Sequence, residues 1–376
     1  MTGFLQGRTV VVVGAGIGGL TAALALARRG AQVTVLERAP ALTEVGAGLQ
    51  LSANAFRVLD ALGLTDALAA HSLRNRAVHL RNATGDTVLR MDLIAHRPNA
   101  LFLLIHRARV IDILASAAKA AGVTLSLGQE VGDLPQADLL IGADGLHSQV
   151  RRALNGREVP FFTGQTAWRA IIDDPGPAVP EAQVHMGPGR HLVSYPLAHG
   201  LRNIVAVEER RDWQDEGWAH PGDPDQLRAA FAGFGGTVPE WLSRVRHVHL
   251  WGLFRHQVAA TWQDGRRVIL GDAAHPTLPF LAQGAGMAVE DAWVLASCLD
   301  AEADQARALV RYQQLRQPRC QRIVETANAN ARNYHLSGPK RAAAHAILRL
   351  SGRLAPSLMP GRFDWLYDFD PVGDHP

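Results

Sequence analysis

The stretch that decides the fold is residues 9–37, TVVVVGAGIGGLTAALALARRGAQVTVLE. A β-branched run, Thr9–Val13, leads into a glycine-rich turn, and an Ala/Leu helix follows the turn. Gly30 is placed to end that helix, and Gln32–Leu36 predicts a second strand that finishes at Glu37. A strand, a helix and a strand within about thirty residues form the βαβ unit of a parallel sheet.

The turn has the spacing Gly14-x-Gly16-x-x-Gly19, in which each glycine has its own steric role. Gly14 permits the tight turn, Gly16 lets the backbone approach a diphosphate, and Gly19 brings helix and strand together. We expect the diphosphate of a dinucleotide at the helix N-terminus, where free N–H groups and the positive end of the dipole face it. Glu37 is placed to accept hydrogen bonds from the adenosine ribose, which favours FAD or NAD over NADP.

The same stretch admits another interpretation, because residues 9–27 carry no charge and are followed by Arg28 and Arg29. A signal peptide or a membrane anchor is the alternative to the βαβ unit. The five glycines between positions 14 and 30, and the β-branched run before them, favour a strand, a turn and a helix. We therefore expect no membrane partner.

Composition restricts the classes to which the 376-residue chain can belong. Hydrophobic residues make up 47% and charged residues 19%, as in globular domains, which excludes disordered and fibrous classes. The net charge is +3 and the basic residues, all arginine except Lys119 and Lys340, are dispersed, so we expect no nucleic-acid partner. Cys298 and Cys320 are too few for a disulfide framework, and a reduced, cytoplasmic location is predicted.

The remaining pattern predicts an α/β chain of two closely joined domains. A hairpin over Ala77–Leu80 and Val88–Leu93, a helix over Arg109–Ala121 and a buried strand over Asp138–Gly142 follow the βαβ unit. From about Phe161, short strands alternate with Gly/Pro turns and predict an antiparallel sheet. We expect a discontinuous dinucleotide-binding domain over 1–76, 101–160 and 264–336, an inserted β-sheet domain over 77–100 and 161–263, and a C-terminal helical tail over 337–376.

Three motifs stand in order along the chain: the glycine turn with Glu37, then Asp144-Gly145, then Gly271-Asp272-Ala-Ala-His275-Pro276 followed by Gln283-Gly284-Ala285-Gly286. Together they resemble the class A, single-component flavoprotein monooxygenases, the aromatic-ring hydroxylases. The stretch 46–54, GAGLQLSAN, is similar to the branch that contains salicylate hydroxylase, 3-hydroxybenzoate 6-hydroxylase and 6-hydroxynicotinate 3-monooxygenase. The resemblance spans residues 8–330. It implies a Rossmann-like FAD-binding domain with an inserted antiparallel-sheet substrate domain, as in para-hydroxybenzoate hydroxylase.

The resemblance implies one non-covalent FAD, with NADH or NADPH as co-substrate. Asp272 matches the aspartate that binds the flavin ribityl chain, and Asp144 is linked to both FAD and the nicotinamide donor. A carboxylate suits polyol recognition because it accepts two hydroxyl donors; the alternative for Asp272 is a turn cap after a strand. The other cofactor-binding residues that the resemblance implies are Gly14, Gly16, Gly19, Glu37, Arg38, Arg107, Pro276, Gly284, Ala285 and Gly286.

The substrate residues are predicted on the short strand that contains His191 and Tyr195, which share one of its faces. The resemblance implies that both meet the substrate, and His191 is suited to draw a proton from a substrate hydroxyl. The alternatives are a surface histidine on an edge strand and, for Tyr195, core packing. Gln283 is expected to orient the substrate's acid group or hydroxyl, with Trp168 and Phe280 as aromatic walls.

The resemblance implies a monooxygenase that uses NAD(P)H and O2 to hydroxylate a phenolic or heteroaromatic acid through a flavin C4a-hydroperoxide. The alternatives are a flavin-dependent epoxidase or tailoring hydroxylase of a larger non-acid substrate, and a non-catalytic FAD-binding protein. No metal is expected, because the His, Cys, Asp and Glu positions lack a ligand spacing. A monomer or a homodimer is expected.

Two departures from the family pattern concern residues 124–137 and 254–257. The first stretch is too short for the hairpin or β-meander that is usual there. The second reads Phe254-Arg255-His256-Gln257 where the family commonly has Asp-Arg, so a substrate or nicotinamide contact is expected to differ.

Overall fold

The computed structural model describes residues 5–42, 47–211, 213 and 220–374, so Gly46 of the family-like stretch lies outside the described residues. The strands are β1 (Thr9–Val13), β2 (Gln32–Glu37), β3 (Gly48–Leu51), β4 (Ser72–Arg74), β5 (Ala77–Asn82), β6 (Thr87–Asp92), β7 (Leu103–His106), β8 (Thr124–Leu127), β9 (Leu139–Gly142), β10 (Phe161–Asp173), β11 (Glu181–Gly187), β12 (Arg190–Leu197), β13 (Leu201–Glu209), β14 (His220–Gly222), β15 (Val248–Arg255) and β16 (Arg267–Ile269).

The α-helices are α1 (Ile17–Ala27), α2 (Ala53–Ala61), α3 (Thr65–Ala69), α4 (Leu93–His96), α5 (Arg107–Ala120), α6 (Gln149–Asn155), α7 (Pro224–Ala230), α8 (Val238–Ser243), α9 (Gly284–Ala301), α10 (Gln305–Tyr334), α11 (Gly338–Leu354), α12 (Leu358–Gly361) and α13 (Asp364–Tyr367). Short 3₁₀ turns cover Gly271–Ala273 and Pro279–Leu281.

The predicted βαβ unit forms the centre of a five-stranded parallel sheet in the order β16-β9-β1-β2-β8. Helix α1 is eleven residues long and buried, because it packs against α5 and α9 and carries alanine and leucine on all sides. The membrane-anchor interpretation of residues 9–27 therefore does not describe this segment. Within the described ranges, no helix combines the length and apolar character needed to cross a membrane.

The inserted region forms an eight-stranded sheet in the order β14-β15-β10-β13-β12-β11-β5-β6. Its strands pair antiparallel, as predicted, except that β5 runs parallel to β11. The parallel pair arises because the hairpin of β5 and β6 joins this sheet from an earlier part of the chain. Its Arg81 side chain donates to Gln183 of β11, 102 residues later.

A third sheet, β3-β7-β4, lies between the two larger sheets, and the sequence pattern did not predict it. Residues 124–137 contribute β8 to the parallel sheet, and the described residues there include no second strand. Helix α9 packs on α1 and α2, and the thirty-residue α10 packs along α9. The predicted Rossmann-like α/β fold with an inserted sheet is confirmed, while the residue limits of the two domains stay a prediction.

Candidate active site

A cavity of about 720 Å³ runs from the glycine turn of the parallel sheet to the face of the eight-stranded sheet. Its size is in the range of small-molecule and cofactor sites. The predicted site residues that line it are Gly14, Gly16, Glu37, Arg38, Arg107, Asp144, His191, Tyr195, Asp272, Gly284 and Ala285.

The glycine turn has the geometry that its spacing predicts. Gly14 has φ +102°, and a Cβ there would lie 2.3 Å from the Ala143 carbonyl oxygen. A Cβ on Gly19 would lie 2.0 Å from the Gly14 carbonyl oxygen, so Gly19 sets the contact of helix and strand. A Cβ on Gly16 would meet no protein atom within 4 Å, because Gly16 faces the open cavity at the start of α1.

Glu37 ends β2 at the cavity wall, where its carboxylate ties two turns together. Its Oε2 accepts a hydrogen bond from the Ala15 amide at 2.8 Å, and its Oε1 accepts one from the Ala39 amide at 2.9 Å. The carboxylate therefore braces the glycine turn and retains acceptor capacity for a hydroxyl, since each carboxylate oxygen has two lone pairs.

Asp272 lies in the 3₁₀ turn after β16, and its side chain is exposed to the large cavity, which the surrounding protein encloses. This removal from bulk water raises the pKa of Asp272, an effect that the nearby His275 and Arg107 oppose. Helix α9 stabilises this turn, because its buried Asp291 accepts a hydrogen bond from the Gly271 amide at 3.0 Å.

Asp291 belongs to a buried ion-pair cluster beneath the Asp272 turn. Its other oxygen, Oδ1, lies 2.7 Å from Arg316 Nε, and His275 Nε2 also contacts the carboxylate. Glu290, the residue before Asp291, forms ion pairs with Arg316 and Arg319. Burial raises the pKa of Asp291, but His275 and Arg316 outweigh it and hold that pKa well below its usual value.

The same cluster brings His275, Asp291 and Cys320 together, with possible ligand atoms within 4.8 Å of one another. Neither their spacing nor their distance along the chain indicated this grouping. The Arg316 guanidinium already supplies the positive charge beside Asp291, so the arrangement is an ion-pair cluster, and the absence of a metal stays a prediction.

Arg107 and Asp144 complete the walls of the cofactor end. Arg107 opens α5, and Asp144 follows β9 at the carboxyl edge of the parallel sheet. Burial raises the pKa of Asp144, while the Ser148 hydroxyl and the Gln149 amide, which donate to its carboxylate, oppose that shift.

These observations fit FAD. The turn from Gly14 to Gly19, called the cradle below, is open at Gly16, where a Cβ would meet no protein atom. The amide end of α1 faces this open space, and Asp272 presents a carboxylate further along the same cavity. Gly284 and Ala285 lie on the cavity wall at the N-terminus of α9. The positive end of the α9 dipole therefore faces the cavity.

The substrate end is built by alternate residues of the eight-stranded sheet. His191, Val193 and Tyr195 lie along one face of β12, as predicted. Arg169 of β10 lies on the same wall, with its guanidinium carbon 4.2 Å from the centre of the Trp251 ring. The sequence interpretation did not anticipate this arginine.

His191 and Tyr195 are deeply buried on β12, which is an inner strand of the sheet, so the surface alternative for His191 is wrong. Burial, followed by the neighbouring His335, lowers the pKa of His191 well below its ordinary value. Burial raises the pKa of Tyr195, with Arg169 opposing, so the Tyr195 phenol stays protonated. Phe280 lies edge-on to His191 with ring centres 5.1 Å apart, as an aromatic wall of the cavity.

Trp168 is not a wall of this cavity, contrary to the prediction. Successive residues of a strand face opposite sides, and Arg169 faces the cavity. Trp168 therefore points into the core on the other side of the sheet, where its indole N–H donates to Glu208 at 3.1 Å. Trp251, opposite Ala167 in the register of β10 and β15, takes its place.

Gln283 lies beside the large cavity and not on its wall. Its amide donates to Ser52 Oγ at 2.9 Å and accepts from Asn54 at 3.1 Å, and Asn54 also donates to Glu290. The side chain thus joins the stretch 48–54 to α9 and borders a smaller neighbouring cavity. Gly19, Pro276 and Gly286 likewise do not line the large cavity; Gly286 faces α2.

Comparison with known proteins agrees with this geometry. The model of the FAD binding domain family matches residues 8–138 and 133–327. A 3-amino-4-hydroxybenzoate 2-monooxygenase of Streptomyces platensis is 36% identical over 97% of both chains, and a 3-hydroxybenzoate 6-hydroxylase of Polaromonas naphthalenivorans is 33% identical over 96% of both. A salicylate hydroxylase in complex with substrate superposes with a TM-score of 0.81 and 25% identity, over 98% of this chain and 97% of that one.

The cradle, the cavity and these relatives lead to one assignment. The chain belongs to the class A FAD-dependent aromatic hydroxylases and is an NAD(P)H-dependent flavoprotein monooxygenase.

Proposed function

We propose that this enzyme hydroxylates the ring of a hydroxylated or aminohydroxylated benzoic acid. The observation that carries the proposal is one wall of the cavity, where His191, Tyr195 and Arg169 converge on a space bounded by apolar and aromatic side chains. Relatives named for 3-amino-4-hydroxybenzoate and 3-hydroxybenzoate support the same class of substrate.

Arg169 is the group we assign to the substrate carboxylate. On the side of β13 it lies opposite Val205, and Val193 follows on the next strand, β12, so this part of the cavity wall is apolar. Stacking on Trp251 holds the guanidinium plane in place, and a planar guanidinium binds a carboxylate through two parallel hydrogen bonds. An acid is therefore favoured over a neutral substrate.

His191 is the group we assign to the substrate hydroxyl. Its Nδ1 lies 2.7 Å from His335, which leaves Nε2 as the ring nitrogen for a ligand. Because burial keeps its imidazole neutral, His191 can accept a proton from a ring hydroxyl. The resulting phenolate is a stronger nucleophile toward electrophilic oxygen than the phenol. We assign Tyr195, whose hydroxyl stays protonated, to donate a hydrogen bond to the substrate. Gln283 lies outside the cavity wall and stabilises it by joining residues 48–54 to α9.

The bound cofactor would be FAD, and the chemistry it would supply is oxidation of NADH or NADPH and activation of O2. The residues we assign to it line the cavity: Gly14, Gly16, Glu37, Arg38, Arg107, Asp144, Asp272, Gly284 and Ala285. Gly19, Pro276 and Gly286 lie beside the cavity, and we assign them a supporting role through the backbone next to these residues. Their share is to bind and orient the cofactor and, with the closed walls of the sheet, to exclude water from the ring.

The test is a screen of hydroxybenzoates, aminohydroxybenzoates and hydroxynicotinates for stimulated NADH or NADPH consumption by the FAD-loaded protein. We expect stimulation by acids and little by their amides. Stimulation by larger neutral compounds alone would favour the epoxidase or tailoring-hydroxylase alternative. FAD binding without any stimulated consumption would favour a non-catalytic FAD-binding protein.

We further propose that the enzyme acts in the cytoplasm as a monomer or a homodimer. Both cysteines are buried and free, which suits a reducing compartment. Light scattering of the purified protein measures its mass, and a mass above that of two chains would contradict the proposal.

A further inference from the structure

A chain of hydrogen bonds leads from the cavity wall to the protein surface. His191 Nδ1 lies 2.7 Å from His335 Nε2, and His335 Nδ1 lies 2.8 Å from Glu209 Oε1. The three residues come from β12, the end of α10 and the last position of β13. His191 and His335 stand 144 residues apart in sequence, so nothing local forces this contact.

Backbone contacts fix the geometry of this chain. His335 follows the last residue of α10, and its carbonyl accepts a hydrogen bond from the Gly189 amide at 3.2 Å. The Gly189 carbonyl in turn accepts one from the Glu209 amide at 2.9 Å. The turn between β11 and β12 therefore ties the histidine to the carboxylate that it meets.

Exposure to solvent differs sharply between the two ends of this hydrogen-bond chain. His191 is 1% exposed and the His335 side chain 2%, whereas the Glu209 side chain is 57% exposed. One end therefore touches the cavity and the other end touches solvent, with no gap wider than a hydrogen bond between them.

A base at the buried end needs such an outlet. Burial lowers the pKa of His191, and His335 lowers it further, so an imidazolium at this position is unfavourable. The groups that face His335 are Glu209, which raises its pKa, and Arg190, which lowers it; burial has the largest effect and also lowers it. Tyr334 and Phe280 face His191 as rings. Neither histidine is therefore suited to hold a proton for long.

On the basis of the proposed function, we propose that His335 and Glu209 form a proton relay that carries the substrate's phenolic proton from His191 to solvent. The phenolic O–H bond breaks as a proton joins His191 Nε2. The proton on His191 Nδ1 passes to His335 Nε2, and the proton on His335 Nδ1 passes to the Glu209 carboxylate and then to water. One proton enters, one leaves, and both imidazoles end neutral in the other tautomer. His335 and Glu209 act here as positioning residues, through His191.

The test uses the FAD-loaded enzyme and 4-hydroxy-3-nitrobenzoate, whose phenolate absorbs more strongly and at longer wavelength than its phenol. Rapid mixing below the ionisation range of the free probe follows phenolate formation on the protein as a change of colour. In His335→Gln the amide can still hydrogen bond but cannot relay a proton. We expect phenolate formation to slow at least tenfold, which is less than the full contribution of about 10²–10⁴-fold for acid–base assistance because His191 itself is retained. FAD binding and the affinity for 4-nitrobenzoate, which has no hydroxyl, should be unchanged.

Glu209→Gln, at an exposed position that tolerates replacement, should slow the same step by a smaller factor. His345→Gln and Glu240→Gln, a buried histidine and an exposed glutamate outside this chain, are the matched controls and should keep the wild-type rate. Wild-type rates in both relay variants would overturn the relay while leaving the proposed function intact. A wild-type rate in Glu209→Gln alone would overturn the Glu209 end. Failure of the wild-type enzyme to bind the probe would overturn both proposals.

Discussion

At its cofactor end the cavity is formed by the backbone of one glycine turn, whereas at its substrate end it is formed by side chains from separate strands. The turn places Gly14, Gly16 and Gly19 within six consecutive residues, and each is required by a close contact or an open space. At the other end, Arg169 and His191 lie on strands β10 and β12, with β13 between them. Backbone shape therefore determines the first end, and sheet register determines the second.

This difference predicts different consequences of mutation at the two ends. A substitution at the cofactor end should change the binding of FAD or the stability of the fold. A substitution at the substrate end should leave the yellow holoenzyme intact and change what happens to the substrate. The four predictions below test this division, beginning with the largest expected effect.

His191→Ala should retain FAD and its reduction by NADH, because His191 belongs to the sheet and not to the cradle. Ring hydroxylation should fall by roughly 10²–10⁴-fold, the usual contribution of a general base. The NADH that is consumed should then appear as hydrogen peroxide, measured beside the product. His345→Ala is the matched control. Product formation within a few-fold of wild type would mean that His191 is a bystander.

Gly14→Ala and Gly16→Ala should separate an effect on folding stability from an effect on FAD binding. An alanine at Gly14 requires a positive φ and meets a backbone oxygen, so its backbone strain alone should cost about 1–3 kcal/mol. The free energy of unfolding of the FAD-free protein should fall by at least this amount. Gly16→Ala meets no protein atom, so unfolding should change little while the Kd for FAD rises. An equal loss of unfolding free energy in the two FAD-free variants would contradict these separate roles of Gly14 and Gly16.

Asp272→Ala should weaken FAD binding, because a charged hydrogen-bond partner contributes about 1.5–3 kcal/mol per bond. Flavin fluorescence, which recovers on release, measures the Kd. Asp133→Ala, at an exposed aspartate outside the cavity, should bind FAD normally. A wild-type Kd in Asp272→Ala would remove this residue from the cofactor site.

Arg169→Met should weaken the binding of the substrate acid by roughly 10–100-fold, the equivalent of about 1.5–3 kcal/mol for a charged hydrogen bond. Binding of the corresponding amide should change much less, so the preference for the acid should disappear. Arg255→Met is the matched control, since Arg255 is half-buried, stacks on Phe161 and does not line the cavity. An undiminished preference for the acid in Arg169→Met would show that another group binds the carboxylate.

The same division explains what could be read from the sequence. The cradle is a local motif, so its strands, turn and helix were predictable from residues 9–37. Along β10 the period of two separates Trp168 from Arg169, but the sequence alone does not say which of them faces the cavity. That choice depends on the layer of helices α7 and α8, which covers Trp168 with Phe231 and Trp241.

Long-range contacts account for the other differences. Gln283 was expected at the substrate, but Ser52 and Asn54, more than two hundred residues earlier, hold its amide. His335 was not recognised because only the packing of α10 brings it to His191. The parallel pairing of β5 with β11 joins distant segments in the same way.

The most direct test of the central claim follows the oxygen atom. The FAD-loaded enzyme is supplied with NADH, 3-amino-4-hydroxybenzoate or 3-hydroxybenzoate, and isotopically labelled O2, and the product is analysed by mass spectrometry. The account predicts substrate-stimulated NADH oxidation and a product with one new hydroxyl group whose oxygen comes from O2. An FAD-loaded enzyme that oxidises NADH no faster with any such acid, or a hydroxyl oxygen that comes from water, would contradict it.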